Sequence, residues 1–441
     1  MAARRGARAP RVERFRLSNG LSVLLAADPT SPTASVWVWY RVGSKNEHTG
    51  ITGASHWVEH MLFQGTPKYG KGEIDRAIVG VGGTLNAFTD YDFTAYFSTV
   101  PRDHLDLPLD IEADRMTRAL LAPKEVERER TVIRSEREGA ENWPEFRVDE
   151  EIGELAFRRH PYHWDPLGYP EDILALTPKD LQEYYHRFYG TRNAVLIVSG
   201  GFDRPAVARR VREMFGRLPE TGEDPNVRIQ EPEPDGERRS RLEGPGTTPI
   251  LEIAYRAPAV ADALAPATML LDVVLGGEAR LFAAGRSWGP SSEHPSSRLY
   301  RALVESGLAV RATTQYRPRQ HPGLFSVSVQ AARAVALERL EAAVDREIAR
   351  LVRDGPTRRE LDDARAKVRR GAQLAYEGAS ATGFRLGYFQ MLGTDPGFES
   401  KLLREVLQVD AAGLRAIAGQ LLRPERRVVV TYTPRGGESD G

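Results

Sequence analysis

The sequence predicts an α+β protein of two homologous domains, each with a mostly antiparallel sheet and helices packed on it. Strand-like and helix-like segments alternate in the first half, and the second half repeats their order in outline. The helical run that begins at Pro123 resembles the run that begins at Pro356, which indicates duplication of a whole domain and not a short-repeat solenoid. At 441 residues the chain is long enough for two such domains.

The first half is predicted from apolar alternation and from glycine and proline punctuation. A hairpin is expected over residues 14–28, because Asn19-Gly20 between two strand-like runs is a strong turn signal. The other predicted strands are residues 34–42, 84–89, 93–100 and 193–200. The predicted helices are residues 55–63 and 73–79, followed by mostly helical sequence over residues 105–155.

The domain boundaries follow from a change in composition near the middle of the chain. Residues 219–248 hold prolines, glycines and acids with little apolar periodicity, which is typical of a linker. We therefore expect one domain over residues 12–218 and its homologue over residues 249–435. In the second half, residues 267–277 occupy the place of the helix at residues 55–63.

Composition excludes several classes of protein and site. Lysine plus arginine equals aspartate plus glutamate at 61 each, so the basic excess of a nucleic-acid-binding protein is missing. The chain has no cysteine, which excludes disulfides, thiolate metal ligands and a cysteine nucleophile. No stretch approaches the roughly 20 apolar residues of a membrane span. Residues 1–15 carry arginines without an apolar run, which favours a short tail over a transit peptide and makes a cytoplasmic location the default expectation.

The most informative motif is His56-Trp57-Val58-Glu59-His60. On a helix, His56 and His60 lie one turn apart on the same face, where two imidazoles can share one zinc ion. Glu59 projects beside the pair and can act on a water molecule without being a ligand, and this order of residues is the inverzincin signature. The alternative is a chance combination on an ordinary helix, which the rarity of histidine disfavours.

A third protein ligand, which a catalytic zinc site needs, can be sought on the helix after Pro123. Glu129 and Glu136 lie seven residues apart, which is two turns along one helix face. Val132 and Ile133 lie between them, so we expect this face to be at least partly buried, and buried acids need partners such as a metal. From these residues alone, surface ion pairs with arginines of the same helix are the favoured alternative.

The chain resembles the pitrilysin/insulinase family of zinc metallopeptidases. Within that family it is most similar to the catalytic subunit of two-subunit types related to mitochondrial processing peptidase. The histidine motif is followed by Met61, Phe63 and Gly65-Thr66, as in that family. Further matching segments are residues 82–96, 127–136, 160–162 and 193–200. The resemblance thus covers nearly the whole chain.

The resemblance implies a zinc endopeptidase with one Zn²⁺ per chain, bound by His56, His60 and Glu136. Glu136 lies at the family's spacing beyond the second histidine. Glu59 is the implied general base, and Glu129 is the implied second acid required for catalysis, which tunes the site. Two halves that close as a clamshell on peptides or unfolded segments are also implied, with no ATP or organic cofactor.

The resemblance further implies that an extended peptide substrate pairs with an edge strand. We expect Leu85, Asn86, Ala87 and Phe88 to bind it, because Asn86 and the preceding glycines suit an edge strand more than an interior one. Phe63 is expected to line the pocket after the scissile bond.

Two other classes of protein compete with this interpretation. A non-catalytic scaffold subunit of the same fold typically lacks the metal residues, whereas this chain keeps them. A metal-storage or sensing protein would cluster additional ligands. The remaining histidines are isolated, and His160 and His163 are only weak candidates for a metal site.

Two substrate contacts that the resemblance implies for the second half are missing. Val304 and Val310 stand where the family has an arginine and a tyrosine, and valine cannot donate a hydrogen bond. Either Arg298 or Tyr300 substitutes, or another chain supplies the pair. We favour a heterodimer with a homologous, non-catalytic subunit, and a homodimer is the rival. Residues 278–295 are an insertion relative to the family, with the composition of a loop.

Overall fold

The computed structural model describes residues 11–277, 295–374, 376–393 and 397–435. Residues 1–10, and all of the predicted insertion except Pro295, lie outside the described residues. The strands are β1 (Glu13–Arg16), β2 (Ser22–Ala27), β3 (Thr33–Tyr40), β4 (Thr84–Thr89), β5 (Thr94–Pro101), β6 (Ala194–Gly200), β7 (Arg238–Gly244), β8 (Ile250–Ala257), β9 (Ala309–Tyr316), β10 (Gly323–Ala331) and β11 (Arg427–Pro434). The helices are α1 (Ala54–Met61), α2 (Glu73–Gly80), α3 (Asp106–Arg118), α4 (Pro123–Glu141), α5 (Pro144–Ala156), α6 (Pro170–Ala175), α7 (Pro178–Phe188), α8 (Arg204–Phe215), α9 (Ala265–Leu275), α10 (Leu337–Asp354), α11 (Arg358–Leu374), α12 (Ala379–Leu392), α13 (Phe398–Gln408) and α14 (Ala411–Leu421). None of these helices is long and apolar enough to cross a membrane.

The chain divides into two compact units. Unit 1 consists of the described residues within 1–138, 164–229 and 375–391. Unit 2 consists of the described residues within 139–163, 230–374 and 392–435. Each unit has one sheet with helices packed on it, which confirms the predicted α+β fold of two domains.

The two sheets share one topology over five strands, and the sheet of unit 1 has β1 as an additional edge strand. In unit 1 the strand order is β1-β2-β6-β3-β5-β4, and in unit 2 it is β7-β11-β8-β10-β9. Only the β2–β6 pair and its counterpart β7–β11 are parallel, and every other neighbouring pair in these sheets is antiparallel. Adding five to each strand number turns the order β2-β6-β3-β5-β4 of unit 1 into the order β7-β11-β8-β10-β9 of unit 2. The duplication predicted from sequence is therefore present in the strand order.

The core of unit 1 lies between one face of its sheet and helices that include α1, α3, α7 and α8. Strand residues such as Val23, Val36 and Val38 point into this core and are fully buried. The predicted hairpin is present, because β1 pairs with β2 antiparallel and Gly20 in the turn adopts a φ of +89°.

The opposite face of the unit 1 sheet is aromatic and is covered by α12. Trp37 and Trp39 of β3 pack there beneath Phe384 of the helix. A Cβ added at Gly383 or Gly387 would lie 2.2 Å or 2.0 Å from the indole ring of Trp37 or Trp39, respectively. Only residues without a side chain allow α12 to approach the sheet this closely.

Each unit therefore includes a helix from the other half of the sequence. In unit 2, α5 packs on β7, β8 and β11, although it precedes the predicted boundary at residue 218. The units thus differ from the continuous domains expected over residues 12–218 and 249–435, and β7 lies inside the segment expected to be a linker. The apolar face of α5 is visible in the sequence, but its periodicity does not say which sheet that face covers.

Candidate metal centre

Helix α1 has one side that is apolar and faces the core, and another side that carries polar residues. The side chains buried in the core of unit 1 are Trp57, Val58 and Met61. His56 and His60 lie half-buried on the side that meets α4, and Glu59 is 8% exposed. The four-residue spacing of the histidines places both rings on one side of α1, as the sequence predicted, and this side lies next to α4.

The two histidines and Glu136 of α4 form a compact triangle. His56 Nε2 and His60 Nε2 are 3.2 Å apart. Glu136 Oε2 lies 3.5 Å from His56 Nε2 and 3.4 Å from His60 Nε2. Among the described residues, this is the one group of three or more potential ligands close enough to share a metal ion.

The dimensions of the triangle fit a zinc ion. Tetrahedral zinc with bonds of about 2.0–2.1 Å places neighbouring ligand atoms about 3.3–3.4 Å apart. A hydrogen-bonded ion pair between imidazolium and carboxylate would instead be about 2.7–2.9 Å long, shorter than both distances to Glu136. Two imidazoles and one carboxylate are also a donor set that zinc prefers.

Burial and hydrogen bonding act differently on the two histidines. Burial lowers the pKa of His56 to about 4, so this ring is neutral and its Nε2 can offer a lone pair. Burial also acts to lower the pKa of His60, but the hydrogen bond to Glu129 and the nearby carboxylate of Glu136 outweigh it and raise the pKa to about 10. The nearby ring of His60 is the main reason that the pKa of Glu136 is lowered.

Glu129 orients the ring of His60 through the nitrogen that faces away from the triangle. Its Oε1 accepts a hydrogen bond of 2.8 Å from Nδ1 of His60, which directs Nε2 towards Glu136. Its Oε2 accepts a second hydrogen bond of 2.8 Å, from the side-chain amide of Gln64. A metal-binding histidine is commonly fixed in this way through its second ring nitrogen.

Glu59 is held next to the triangle by the end of β4. Its Oε2 accepts a hydrogen bond of 2.6 Å from the hydroxyl of Thr89. Burial raises the pKa of Glu59 to about 7, although the Thr89 hydrogen bond acts to lower it. A carboxylate with a pKa near neutrality is well suited to accept and return a proton.

The arrangement of α4 disfavours the surface ion pairs considered from sequence. The two arginines beside the acids pair with other residues: Arg130 with Glu127, and Arg134 with Glu138. Glu129 and Glu136 face the histidines of α1 instead. Of the two apolar residues expected on this face, Ile133 is buried as predicted, but Val132 is 44% exposed.

The expected substrate-binding residues lie on both faces of β4, which is the edge strand of the unit 1 sheet. Asn86 is exposed. Leu85 and Ala87 are half-buried on the side of the sheet that carries α1. The ring of Phe88 packs on the opposite side, in the aromatic cluster under α12. Phe63 is half-buried after α1, with its ring 6.0 Å from that of Tyr96.

Sequence reasoning did not identify Gln64 and Thr89 as parts of the site. Each acts through a side-chain hydrogen bond to a residue at least 30 positions away in the chain. Gln64 directly follows Phe63, and Thr89 directly follows the expected peptide-binding segment, but neither position marks a partner before the fold is known. His160 and His163 lie in unit 2, outside the triangle.

Two protein-family models together match most of this chain. The sequence model described as Insulinase (Peptidase family M16) matches residues 22–168, and that described as Peptidase M16 inactive domain matches residues 175–368. An uncharacterized zinc protease of Mycobacterium leprae is 30% identical, over 96% of this chain and 92% of its own. The mitochondrial-processing peptidase subunit beta of Blastocladiella emersonii is 26% identical, over 86% of this chain and 79% of its own.

The fold is also found in solved structures. The crystal structure of a protease from Helicobacter pylori is similar with a TM-score of 0.89, at 25% identity, over 97% of this chain and 100% of that one. The region matched by the insulinase model contains all residues of the triangle and Glu59. The chain belongs to the insulinase family of zinc metallopeptidases, peptidase family M16.

Proposed function

We propose that this chain is a zinc-dependent endopeptidase whose metal ligands are His56, His60 and Glu136 and whose general base is Glu59. The observation that carries the proposal is the triangle of ligand atoms, 3.2–3.5 Å on a side. Two of its corners lie on α1, the helix that also carries the buried Glu59, and the third lies on α4. The relative named as a zinc protease supports both the metal and the class of reaction.

The residues around the triangle have distinct tasks in this reaction. A zinc ion held there supplies a Lewis acid that polarises the scissile carbonyl and makes water more acidic. Glu59 takes the proton of the attacking water and delivers it to the departing amine. Oε2 of Glu59 accepts the hydrogen bond from the hydroxyl of Thr89, so Oε1 is the oxygen that carries the proton. Glu129 acts through His60 and is therefore a positioning residue.

We further propose that the substrate is a peptide or an unfolded polypeptide segment bound along β4. An edge strand has unpaired backbone groups that can pair with an extended peptide. Asn86 is exposed on this strand, and Leu85 and Ala87 lie on the face that carries α1. Phe88 contributes through its backbone, because its ring is engaged in the aromatic cluster. Phe63 contributes to the pocket after the scissile bond.

The central test measures zinc content and cleavage of a mixed peptide library in parallel. Glu59→Gln should keep one zinc per chain and lose activity by about 100-fold or more, because only the base is removed. His56→Ala and His60→Ala should lose zinc, and Glu136→Gln should bind it more weakly. Glu138→Gln, an exposed change on the same helix, should alter neither property. Undiminished hydrolysis by pure Glu59→Gln protein would overturn the proposal.

We also propose that the active form is a heterodimer with a homologous subunit that supplies an arginine and a tyrosine. Val310, at the expected tyrosine position, is an exposed apolar residue, and Val304 has no donor either. Arg298 is a poor substitute, because its side chain is 9% exposed and its guanidinium forms an ion pair of 2.8 Å with Glu360. The relative named as a subunit of mitochondrial-processing peptidase supports a paired assembly.

The partner proposal is tested by purifying the zinc-loaded chain alone and measuring its turnover and its mass in solution. We expect very low turnover that rises when a co-expressed homologous chain is added. Full turnover of the isolated chain, as a monomer or as a homodimer, would contradict the heterodimer. The Glu59→Gln chain mixed with the same partner is the control, because it assembles but lacks the base.

A further inference from the structure

The first turn of α1 carries His56 but has no capping side chain of its own. The residue before the helix, Gly53, adopts a φ of +87° and offers no side-chain acceptor. The helix has only eight residues, and helices this short depend on contacts from outside. The N–H groups of its first turn therefore need acceptors from elsewhere in the fold.

Glu47 supplies an acceptor for the residue before the helix and one for the second residue of its first turn. Its Oε2 accepts a hydrogen bond of 2.8 Å from the N–H of Gly53, and its Oε1 accepts one of 2.7 Å from the N–H of Ser55. The residue is 4% exposed, so these bonds are shielded from water. Glu47 thus replaces the missing capping side chain from six residues upstream.

The two candidate histidine ligands are fixed in different ways. His60 is oriented by the hydrogen bond between its Nδ1 and Glu129. The Nδ1 of His56 is buried and, within the described part of the chain, has no hydrogen-bond partner. Because no second nitrogen contact fixes the ring of His56, its direction depends on the backbone of the turn that carries it.

We propose that Glu47 is a positioning residue for the metal: by fixing the first turn of α1, it aims Nε2 of His56 at His60 and Glu136. The inference rests on the proposed function, since it assumes that His56 is a ligand. It adds a residue outside the metal-binding motif to the set on which metal affinity depends. Loss of Glu47 weakens the metal site although Glu47 itself does not contact the metal.

A second buried carboxylate provides a matched control. Oδ2 of Asp172 accepts hydrogen bonds from the N–H of Gly50 at 2.9 Å, from the N–H of Thr52 at 3.1 Å and from the hydroxyl of Thr52 at 2.6 Å. Asp172 is 9% exposed, similar to Glu47. All its donors precede α1, so Asp172→Asn loosens the same loop without removing an acceptor from the first turn of the helix.

The experiment compares Glu47→Gln, Glu47→Asp and Asp172→Asn in the full chain. Glutamine keeps the size of Glu47 but turns one oxygen into a donor that faces a backbone N–H. Zinc affinity is measured by competition with a chromophoric chelator. The visible absorption of the Co²⁺-loaded protein reports ligand geometry. Thermal unfolding of the metal-free proteins measures the general loss of stability.

We expect Glu47→Gln to weaken zinc binding by about 10- to 100-fold and to change the Co²⁺ spectrum. Asp172→Asn should lower the unfolding temperature similarly but keep the affinity within about threefold and the spectrum unchanged. The zinc affinity of Glu47→Asp should lie between those of wild type and Glu47→Gln. If Glu47→Gln does not fold, Glu47→Asp is compared with Asp172→Asn instead. Equal zinc affinity of the Glu47 and Asp172 variants would overturn the inference. A wild-type chain that binds no zinc would instead overturn the proposed function.

Discussion

Thr89 holds Glu59 by a single hydrogen bond, and this contact leads to a prediction about catalysis. The hydroxyl donates to Oε2 of Glu59 over 2.6 Å, and Thr89→Val removes it with little change in volume. A hydrogen bond to a charged group contributes about 1.5–3 kcal/mol, so kcat should fall about 10- to 100-fold. Zinc content should stay the same. Thr89→Ser keeps the hydroxyl and should retain most of the activity, whereas an unchanged kcat in Thr89→Val would show that Glu59 needs no such support.

Glu129 leads to a second prediction, which concerns metal affinity. Glu129→Gln weakens the acceptor that fixes Nδ1 of His60, and loss of such a partner typically costs 10- to 100-fold in affinity. Chelator competition should therefore give a zinc dissociation constant raised by about that factor. Glu127→Gln is the control on the same helix, because Glu127 is exposed and pairs only with Arg130 among the described contacts. Equal zinc affinity of the two variants would refute the role of Glu129.

At the scale of residues, the sequence was most informative where function depends on spacing within one helix. The separation of His56 and His60 predicted a shared face, and the separation of Glu129 and Glu136 predicted another. The contacts made by Gln64, Thr89 and Glu47 could not be predicted, because each joins segments that only the fold brings together or depends on an unusual backbone conformation.

The close contact between α12 and β3 leads to a prediction at the scale of elements. A Cβ at Gly387 would lie 2.0 Å from Nε1 of Trp39, whose side chain is fully buried. Gly387→Ala should therefore lower the free energy of unfolding by about 1–3 kcal/mol, despite the higher helix propensity of alanine.

Gly139→Ala is the matched control for this helix contact. Gly139 is exposed on α4, and an added Cβ would meet no atom within 4 Å. This substitution should leave the free energy of unfolding unchanged or raise it by up to about 1 kcal/mol. Urea unfolding measures both variants. If Gly387→Ala were as stable as Gly139→Ala, the helix would not depend on this close approach.

The sequence identified most elements but not the partners of all helices. The hairpin at Asn19-Gly20 and the edge position of β4 follow from local turn chemistry and residue choice. The places of α5 and α12 do not, because an apolar helix face shows only that the helix is covered on that side. Both helices hold equivalent positions in the repeat: α5 follows α4, and α12 follows α11. The exchange of helices is therefore part of the duplicated plan.

At the scale of the whole molecule, the duplication conserves the fold but not the chemistry. The second half repeats the strand order of the first, yet α9, at the place of α1, contains no histidine. Arg369 stands at the position that corresponds to Glu136. This asymmetry can be read from the sequence alone, because it depends on residue identity at aligned positions and not on packing.

This asymmetry predicts a local response to metal removal. The triangle joins α1 to α4 within unit 1, and no other group of potential ligands occurs among the described residues. A ligand present at 1,000 times its dissociation constant stabilises the state that binds it by about 4 kcal/mol. Chelation should therefore increase amide hydrogen exchange in α1 and in α4 around Glu129 and Glu136, and zinc should reverse the increase. Exchange in strands β7 to β11 should not change, because unit 2 contributes no ligand. An equal increase in both sheets would mean that the metal stabilises the chain globally, and no increase in α1 would mean that the triangle is not the site of binding.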